Sequence, residues 1–282
     1  HICQVLNITT KPLGFQKSGY RDKVHYSKYY DQESIELVQQ YFAKDISMFN
    51  YEFEFEKDFE LIEQKIVIDQ SIANAKNING PSLIKVPDFI KDKLGNYYLY
   101  FADHTGQHIK MAYSDRIEGP YNIIDGGTLQ LKETPCNKHI ASPDVHIKDN
   151  KIVMYYHGDI DTGQYTFEAI SDDGINFISR DKALTPFYHR EFEYLGSTYA
   201  LCKNKNKNSQ LYEKINDDYK LLYELLPGSR HTAIYVEDNI LYIVYSIVGE
   251  APERLYICKI IDWEIVSNYE LARPNLTWEG VK

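Results

Sequence analysis

Pro143-Asp144-Val145-His146-Ile147, inside the longer run His139-Ile140-Ala141-Ser142-Pro143-Asp144, places an acid at the head of a β-branched stretch. A Lys148-Asp149-Asn150 turn follows, then a second apolar run, Ile152-Val153-Met154-Tyr155-Tyr156-His157-Gly158. The same order stands earlier in the chain: Pro87-Asp88-Phe89-Ile90, a Gly95-Asn96 turn, and Tyr97-Tyr98-Leu99-Tyr100-Phe101. Both copies pass through a polar hairpin, Asp103 to Gln107 or His157 to Gln164, into a third strand closing on Ser114-Asp115 or Ser171-Asp172. A third copy opens at Tyr188-His189-Arg190-Glu191-Phe192, and a fourth at Arg230-His231-Thr232-Ala233-Ile234. With Asp88, Asp144, Arg190 and His231 as openings, the spacings are 56, 46 and 41 residues. Four strands per unit at this period predicts the blades of a β-propeller. A β-sandwich does not repeat one strand order four times. The expected fold is all-β, with four consecutive blades over residues 80–270.

The bulk numbers set limits around that fold. The chain has 282 residues, 43% of them hydrophobic, which allows a sizeable core. Its formal charge of −10 argues against a nucleic-acid-binding face and offers nothing to an anionic membrane. Tyr numbers 25 against 2 Trp. Such rings serve both as strand packing and as platforms for flat ligands. Cys3, Cys136, Cys202 and Cys258 form no CxxC pair, so no zinc or other metal is expected and the thiols read as reduced and packed, which suits a cytoplasmic setting. No cofactor is expected.

Residues 1–55 read differently. Asp31-Gln32-Glu33 is a helix entry, followed by Ile35, Val38, Tyr41, Phe42, Ile46 and Phe49 at helical spacing, which predicts a helix over 32–48. Residues 56–79 read as a linker or edge strand leading to the propeller at 80–282. The run Tyr26-Ser27-Lys28-Tyr29-Tyr30-Asp31, with Asp45-Ile46-Ser47-Met48-Phe49-Asn50-Tyr51-Glu52-Phe53, resembles the C-terminal tail of carbohydrate sulfotransferases. Nothing upstream offers a phosphosulfate-binding loop, so no sulfotransferase residue carries over.

From residue 78 onward a second resemblance covers most of the chain. The runs Gly80-Pro81-Ser82-Leu83-Ile84, Tyr98-Leu99-Tyr100-Phe101-Ala102-Asp103-His104, Ala141-Ser142-Pro143-Asp144 and Ala251-Pro252-Glu253-Arg254 look like bacterial proteins related to five-bladed propeller glycosidases of families 43, 32 and 62. In such proteins a fifth blade follows a Trp-Glu-Gly step. Here Trp278-Glu279-Gly280 stands near the end, and the chain begins His1-Ile2-Cys3 without Met, so truncation is expected at both ends. An open blade edge left by truncation would invite self-association.

The resemblance implies a carbohydrate ligand and a site at the propeller axis. The first strand of each blade lines the axis, so Asp88, Asp144, Arg190 and His231, with Arg230, are expected to converge there. His104, His157, Gln164, Glu253 and Arg254 are expected on the surrounding hairpins. Glycoside hydrolysis uses two carboxyl groups, one protonated and one ionised. In the resembled families these are a first-blade Asp base and a third-blade Glu acid, tuned by a second-blade Asp. The matching catalytic candidates are Asp88, Asp144 and, as acid from the fourth blade, Glu253, because blade three offers Arg190 where Glu is expected. His104, His157, Gln164, Arg190, Arg230, His231 and Arg254 are the candidate substrate-binding residues. Two other chemistries fit the same residues: a non-catalytic site gripping a sulfated or uronic sugar through arginines, and a lyase site with a His or Tyr base. Taken singly, each of these side chains is more often turn chemistry or an ion pair.

Overall fold

The computed structural model describes residues 26–53, 57–59, 66–69, 71, 73, 77–205 and 208–273. The chain divides into two units, residues 1–58 and 59–282. In the first, a short 3-10 turn at Tyr26–Tyr29 precedes α1 (Gln32–Tyr41) and α2 (Ala43–Phe49). Asp31 caps α1 by accepting from Ser34 N at 2.8 Å, while Ser34 Oγ accepts from Asp31 N at 2.9 Å. The single helix expected over 32–48 is in fact two. Phe42 departs from helical geometry (φ −112°, ψ 21°) and divides them, and Asn50 closes α2 in the left-handed region at φ 52°. Tyr26, Tyr30 and Phe53 pack edge to face within this unit. No helix among the described residues is long and apolar enough to cross a membrane.

The described residues of the second unit form four antiparallel sheets in sequence order, the propeller blades expected from the repeat. Blade 1 holds β1 (Asn79–Lys85), β2 (Tyr97–Ala102), β3 (His108–Ser114) and β4 (Asn122–Ile123), with β5 (Leu129–Gln130) also on β3. Blade 2 holds β6 (Ile140–Lys148), β7 (Lys151–Ile160), β8 (Gly163–Ser171) and β9 (Ile178–Ser179). Blade 3 runs β10 (Phe187–Tyr194), β11 (Ser197–Lys203), β12 (Ser209–Ile215) and β13 (Asp218–Glu224). Blade 4 runs β14 (Ser229–Glu237), β15 (Ile240–Ile247), β16 (Leu255–Ile261) and β17 (Glu264–Ala272). The described residues of 54–68 contain no strand, and the rest of that segment, like Trp278-Glu279-Gly280, lies outside the described residues.

Each inner strand enters its blade through the same irregularity. The ladder shifts by one residue between Asn79 and Ser82, between Ala141 and Asp144, between Phe187 and Arg190, and between Ser229 and Thr232. The residues inside these bulges are Gly80-Pro81, Ser142-Pro143, Tyr188-His189 and Arg230-His231. Gly80, Ser142 and Tyr188 hold positive φ of 55°, 49° and 58°. Proline suits the next position because the ladder is interrupted there and its missing N–H costs nothing.

The repeat thus exists, but its first opening is elsewhere. The counterpart of Pro143-Asp144 is Pro81-Ser82, not Pro87-Asp88. Pro87-Asp88 follows β1 in an exposed turn. The sequence match misled because both Pro-Asp pairs precede apolar runs, whereas the bulge register follows the proline at 81.

Two large apolar clusters each join a pair of blades, and a smaller one gathers Ala73, Phe101, Ala112 and Tyr121. One joins blades 1 and 2 through Tyr98, Tyr100, Ile109, Met111, Met154, Tyr156 and Phe167. The other joins blades 3 and 4 through Tyr194, Leu201, Leu211, Leu241, Ile243 and Cys258. Buried tyrosines satisfy their hydroxyls, as where Tyr100 donates to Gly174 O at 2.8 Å and Tyr194 accepts from Asp262 N at 2.9 Å. Cys136, Cys202 and Cys258 are free and buried.

The bulge geometry is open to a direct test. A Cβ on Gly80 would sit 2.5 Å from Ser142 Cα, and the residue also holds positive φ. Gly80→Ala should lower unfolding free energy by more than about 1 kcal/mol in chemical denaturation. A variant as stable as the parent would contradict this close approach of blades 1 and 2.

Candidate functional site at the axial mouth

The bulged ends of the inner strands meet the second-to-third-strand hairpins, and the polar residues gathered there define the site. Aromatic rings run across it in a chain. His139 lies 5.6 Å from His157, His157 5.0 Å from Tyr188, and Tyr188 4.9 Å from His231, between ring centroids. His157 sits opposite Ala141 at the end of β7, within the strand rather than on the hairpin where the sequence had put it. His104, in the β2–β3 turn, donates its backbone N–H to Asn77 Oδ1 at 2.8 Å, and its Nδ1 is 3.3 Å from Asn79 Nδ2. His104 and His231 both act electrostatically on His157.

Arg190 forms the floor. It is buried, and its Nε donates to Thr232 O at 3.0 Å in blade 4. Its Nη1 donates to His189 O at 2.8 Å and, more weakly at 3.5 Å, to Ser142 O in blade 2. No ion pair joins it to a carboxylate among the described residues. Two buried polar atoms close to it, Ser142 Oγ and His157 Nδ1, have no hydrogen-bond partner.

At the rim, Arg230 lies 3.2 Å from Glu253, which also accepts from Ser246 Oγ. Asp159 pairs with His139 at 2.8 Å and stands opposite Gln164 in the β7–β8 hairpin. Lys203, the blade-3 counterpart of His157, donates to Ser229 O at 3.2 Å.

Burial and neighbouring cations keep the His157 and His231 imidazoles neutral. Burial, reinforced by His139 and Arg190, pulls His157 down to about 3. Burial with Arg230 and Arg190 does the same to His231, again to about 3. Burial lifts the Tyr188 hydroxyl above its ordinary value, although Arg230 and Arg190 oppose it. The mouth therefore presents neutral rings that can donate or accept, around a buried cation.

Three sequence candidates are not in this cluster. Asp88 stands at the other end of blade 1, with a fully exposed carboxyl 3.9 Å from Lys93. It fails as an axial residue because β1 ends before it. Asp144 is on the inner strand, but past the bulge and turned into the seam between blades 2 and 3. There it pairs with His146 at 2.7 Å and accepts from Glu191 N at 3.0 Å. Burial works against its charge, and His146, Arg190 and His189 outweigh burial, so the carboxyl titrates below its ordinary value. Arg254 turns to the outermost strand, 3.2 Å from Glu270. The expected pair of axial aspartates is thus not present as a pair. The residues that sequence reasoning passed over are Gly80, Ser142 and Tyr188. Their signal was the shared Pro81 and Pro143, which aligns the first two bulges.

The seam itself is polar. Glu191, its side chain 2% exposed, takes Lys148 and Lys214 as ion partners and accepts from Tyr155 OH at 2.9 Å and from Tyr219 OH. His189 lies between Tyr155, tilted at 4.5 Å, and Tyr219, edge to face at 5.0 Å, with Nδ1 2.9 Å from Thr185 Oγ1. A cleft of about 220 Å³ opens beside this seam, lined by Arg180, Lys182 and Lys214 among others. Its charges are matched internally, Arg180 to Glu168 at 2.7 Å and Lys182 to Asp218 at 2.7 Å.

Comparison with known proteins places the architecture. No family model matches the chain. An uncharacterised protein of Acanthamoeba polyphaga mimivirus is 29% identical over 252 residues, spanning 73% of this chain and 70% of that protein. Among solved structures, a thermostable family-43 glycoside hydrolase aligns with a TM-score of 0.52 at 16% identity, over 71% of this chain and 74% of its own. The GH43_1 enzyme of Xanthomonas citri, solved with xylose, aligns at 0.51 and 10% identity, over 65% and 70%. The fold is therefore that of the glycoside hydrolase propellers, present here as four blades.

Two outcomes follow from this geometry. His157, His189 and His231 are each held at about 3, against 6.5 for a free imidazole. Between those values the unfolded chain binds protons that the fold does not. Stability should be full above about pH 6.5 and fall steadily toward pH 3. Denaturation curves at stepped pH check this, and a flat profile from pH 7 to 5 would contradict it. Separately, Glu191→Gln should cost about 3 kcal/mol or more, because it strips the countercharge from Lys148 and Lys214 in the seam. Thermal and urea unfolding read that loss.

Proposed function

We propose that this protein is a glycan-active propeller of glycosidase-like fold, whose axial mouth receives a polysaccharide or oligosaccharide. The observation that carries the reading is the convergence of His104, His157, Tyr188, His231 and Arg190 at the bulged ends of the inner strands. Polar groups from separate blades meeting around buried, unpartnered atoms suit a polyhydroxylated ligand better than they suit stability. Ser142 Oγ and His157 Nδ1 supply the unmet hydrogen bonds. Tyr188 supplies a ring face. The fold shared with enzymes of glycoside hydrolase family 43, one of them solved with xylose, supports the same choice.

Hydrolysis by two axial aspartates does not fit, since Asp88 and Asp144 are elsewhere. Glu253 is the candidate acid that remains at the mouth, where it is tied to Arg230 at 3.2 Å. Sugar binding is therefore the better supported part of the proposal, and bond cleavage the part that needs Glu253. The resemblance of Tyr26 to Phe53 to a sulfotransferase tail is a reason to place sulfated glycans in any panel.

Titration of the full chain against neutral, uronic and sulfated oligosaccharides tests the reading. Binding to at least one class is expected, with His157→Ala and His231→Ala each weakening it about tenfold, the loss expected for one or two hydrogen bonds. Glu253→Gln should abolish any turnover while leaving binding measurable. A chain that binds no member of the panel, or binds equally well without either histidine, would sink the assignment.

A further inference from the structure

The geometry points to an anionic substituent on the glycan, a carboxylate or a sulfate, seated against Arg190 at the floor of the axial mouth. This rests on the carbohydrate reading above and deepens it.

The argument begins with Arg190. A guanidinium buried to 9% exposure is costly unless a negative charge answers it. Here the described partners are the carbonyl oxygens of Thr232, His189 and Ser142, which solvate the cation without neutralising it. The carboxylate it acts on within the protein, Asp144, is already engaged by His146 and by Glu191 N.

The surroundings point the same way. The chain as a whole carries −10, yet this end gathers Arg190, Arg230 and Lys203 beside a set of histidines. The rim carboxylates Glu253 and Asp159 are each held by a partner at 3.2 and 2.8 Å. The atoms left without partners, Ser142 Oγ and His157 Nδ1, are a hydroxyl and a ring nitrogen, both able to donate to an anionic oxygen. Planar, bidentate recognition of carboxylate or sulfate is what an arginine fork offers beyond a point charge.

The test uses matched pairs that differ only in charge: an oligogalacturonate with its methyl ester, and a sulfated galactan oligosaccharide with its desulfated form. The full chain is titrated with each by calorimetry at two salt concentrations. The charged member of at least one pair should bind about tenfold or more tightly than its neutral partner, with the advantage shrinking at high salt. Preference within the first pair identifies a carboxylate, and within the second a sulfate. Arg190→Gln should erase the preference. Because Arg190 also ties three blades together, Arg190→Lys provides a second route: it keeps a cation at the floor and loses the planar fork. That variant should unfold cooperatively and keep a preference reduced severalfold from that of the parent chain. Equal binding of both members of each pair would overturn the anion inference and leave the carbohydrate reading standing. No binding by any of the four would remove both. A preference undiminished in Arg190→Lys or Arg190→Gln would overturn the role given to Arg190.

Discussion

The propeller turns on Arg190. One side chain gathers carbonyl oxygens from blades 2, 3 and 4. Five donors in a planar fork suit that task, because several carbonyls converge from different directions. The cost is a buried positive charge, and its field reaches outward. It helps hold His157 and His231 neutral and draws Asp144 toward its ionised form. Structure and chemistry at the mouth are therefore set by the same residue.

Around that residue, one backbone device recurs four times. Every inner strand enters through a bulge of the same register, which lifts two residues out of the ladder and aims them at the axis. What fills the bulge differs by blade: glycine, serine, tyrosine and arginine, each followed by proline or histidine. Blades 1 and 2 press together there, Gly80 against Ser142. Blades 3 and 4 give the ring of Tyr188 and the charge of Arg230. The asymmetry of the mouth comes from side chains placed on a symmetric frame, as in folds that host many functions on one scaffold.

The packing between blades is also uneven. Blades 1 and 2 share one apolar cluster and blades 3 and 4 another, while the seam between the pairs is built from Asp144, His146, Lys148, Tyr155, His189, Glu191 and Tyr219. A polar seam of this kind fixes relative position through directional bonds, at the expense of the stability an apolar seam would give. It also removes Asp144 from any direct part at the mouth, since its carboxyl is committed to holding blade 3.

The sequence by itself determined the four blades. Alternating strands, their turns and their polar hairpins are local patterns, and local patterns survive without knowledge of the rest of the chain. It also singled out His104, His157, Arg190, Arg230, His231 and Glu253, because charged and ring-nitrogen groups at strand openings and hairpins are conspicuous. It mistook Asp88 for an axial residue, because Pro87-Asp88 imitates Pro143-Asp144 in letters while following β1 rather than opening it. Only the tertiary structure decided the bulge register, and hence that Ser82 matches Asp144 and that Gly80, Ser142 and Tyr188 face the axis. The direction of Asp144 was likewise invisible, since it depends on Glu191 and His146 arriving from a strand forty-odd residues away and from its own strand face. The physical reason is the same throughout. Strand identity follows from neighbours along the chain, but which face meets the axis follows from contacts between blades, and those exist only once the blades are packed.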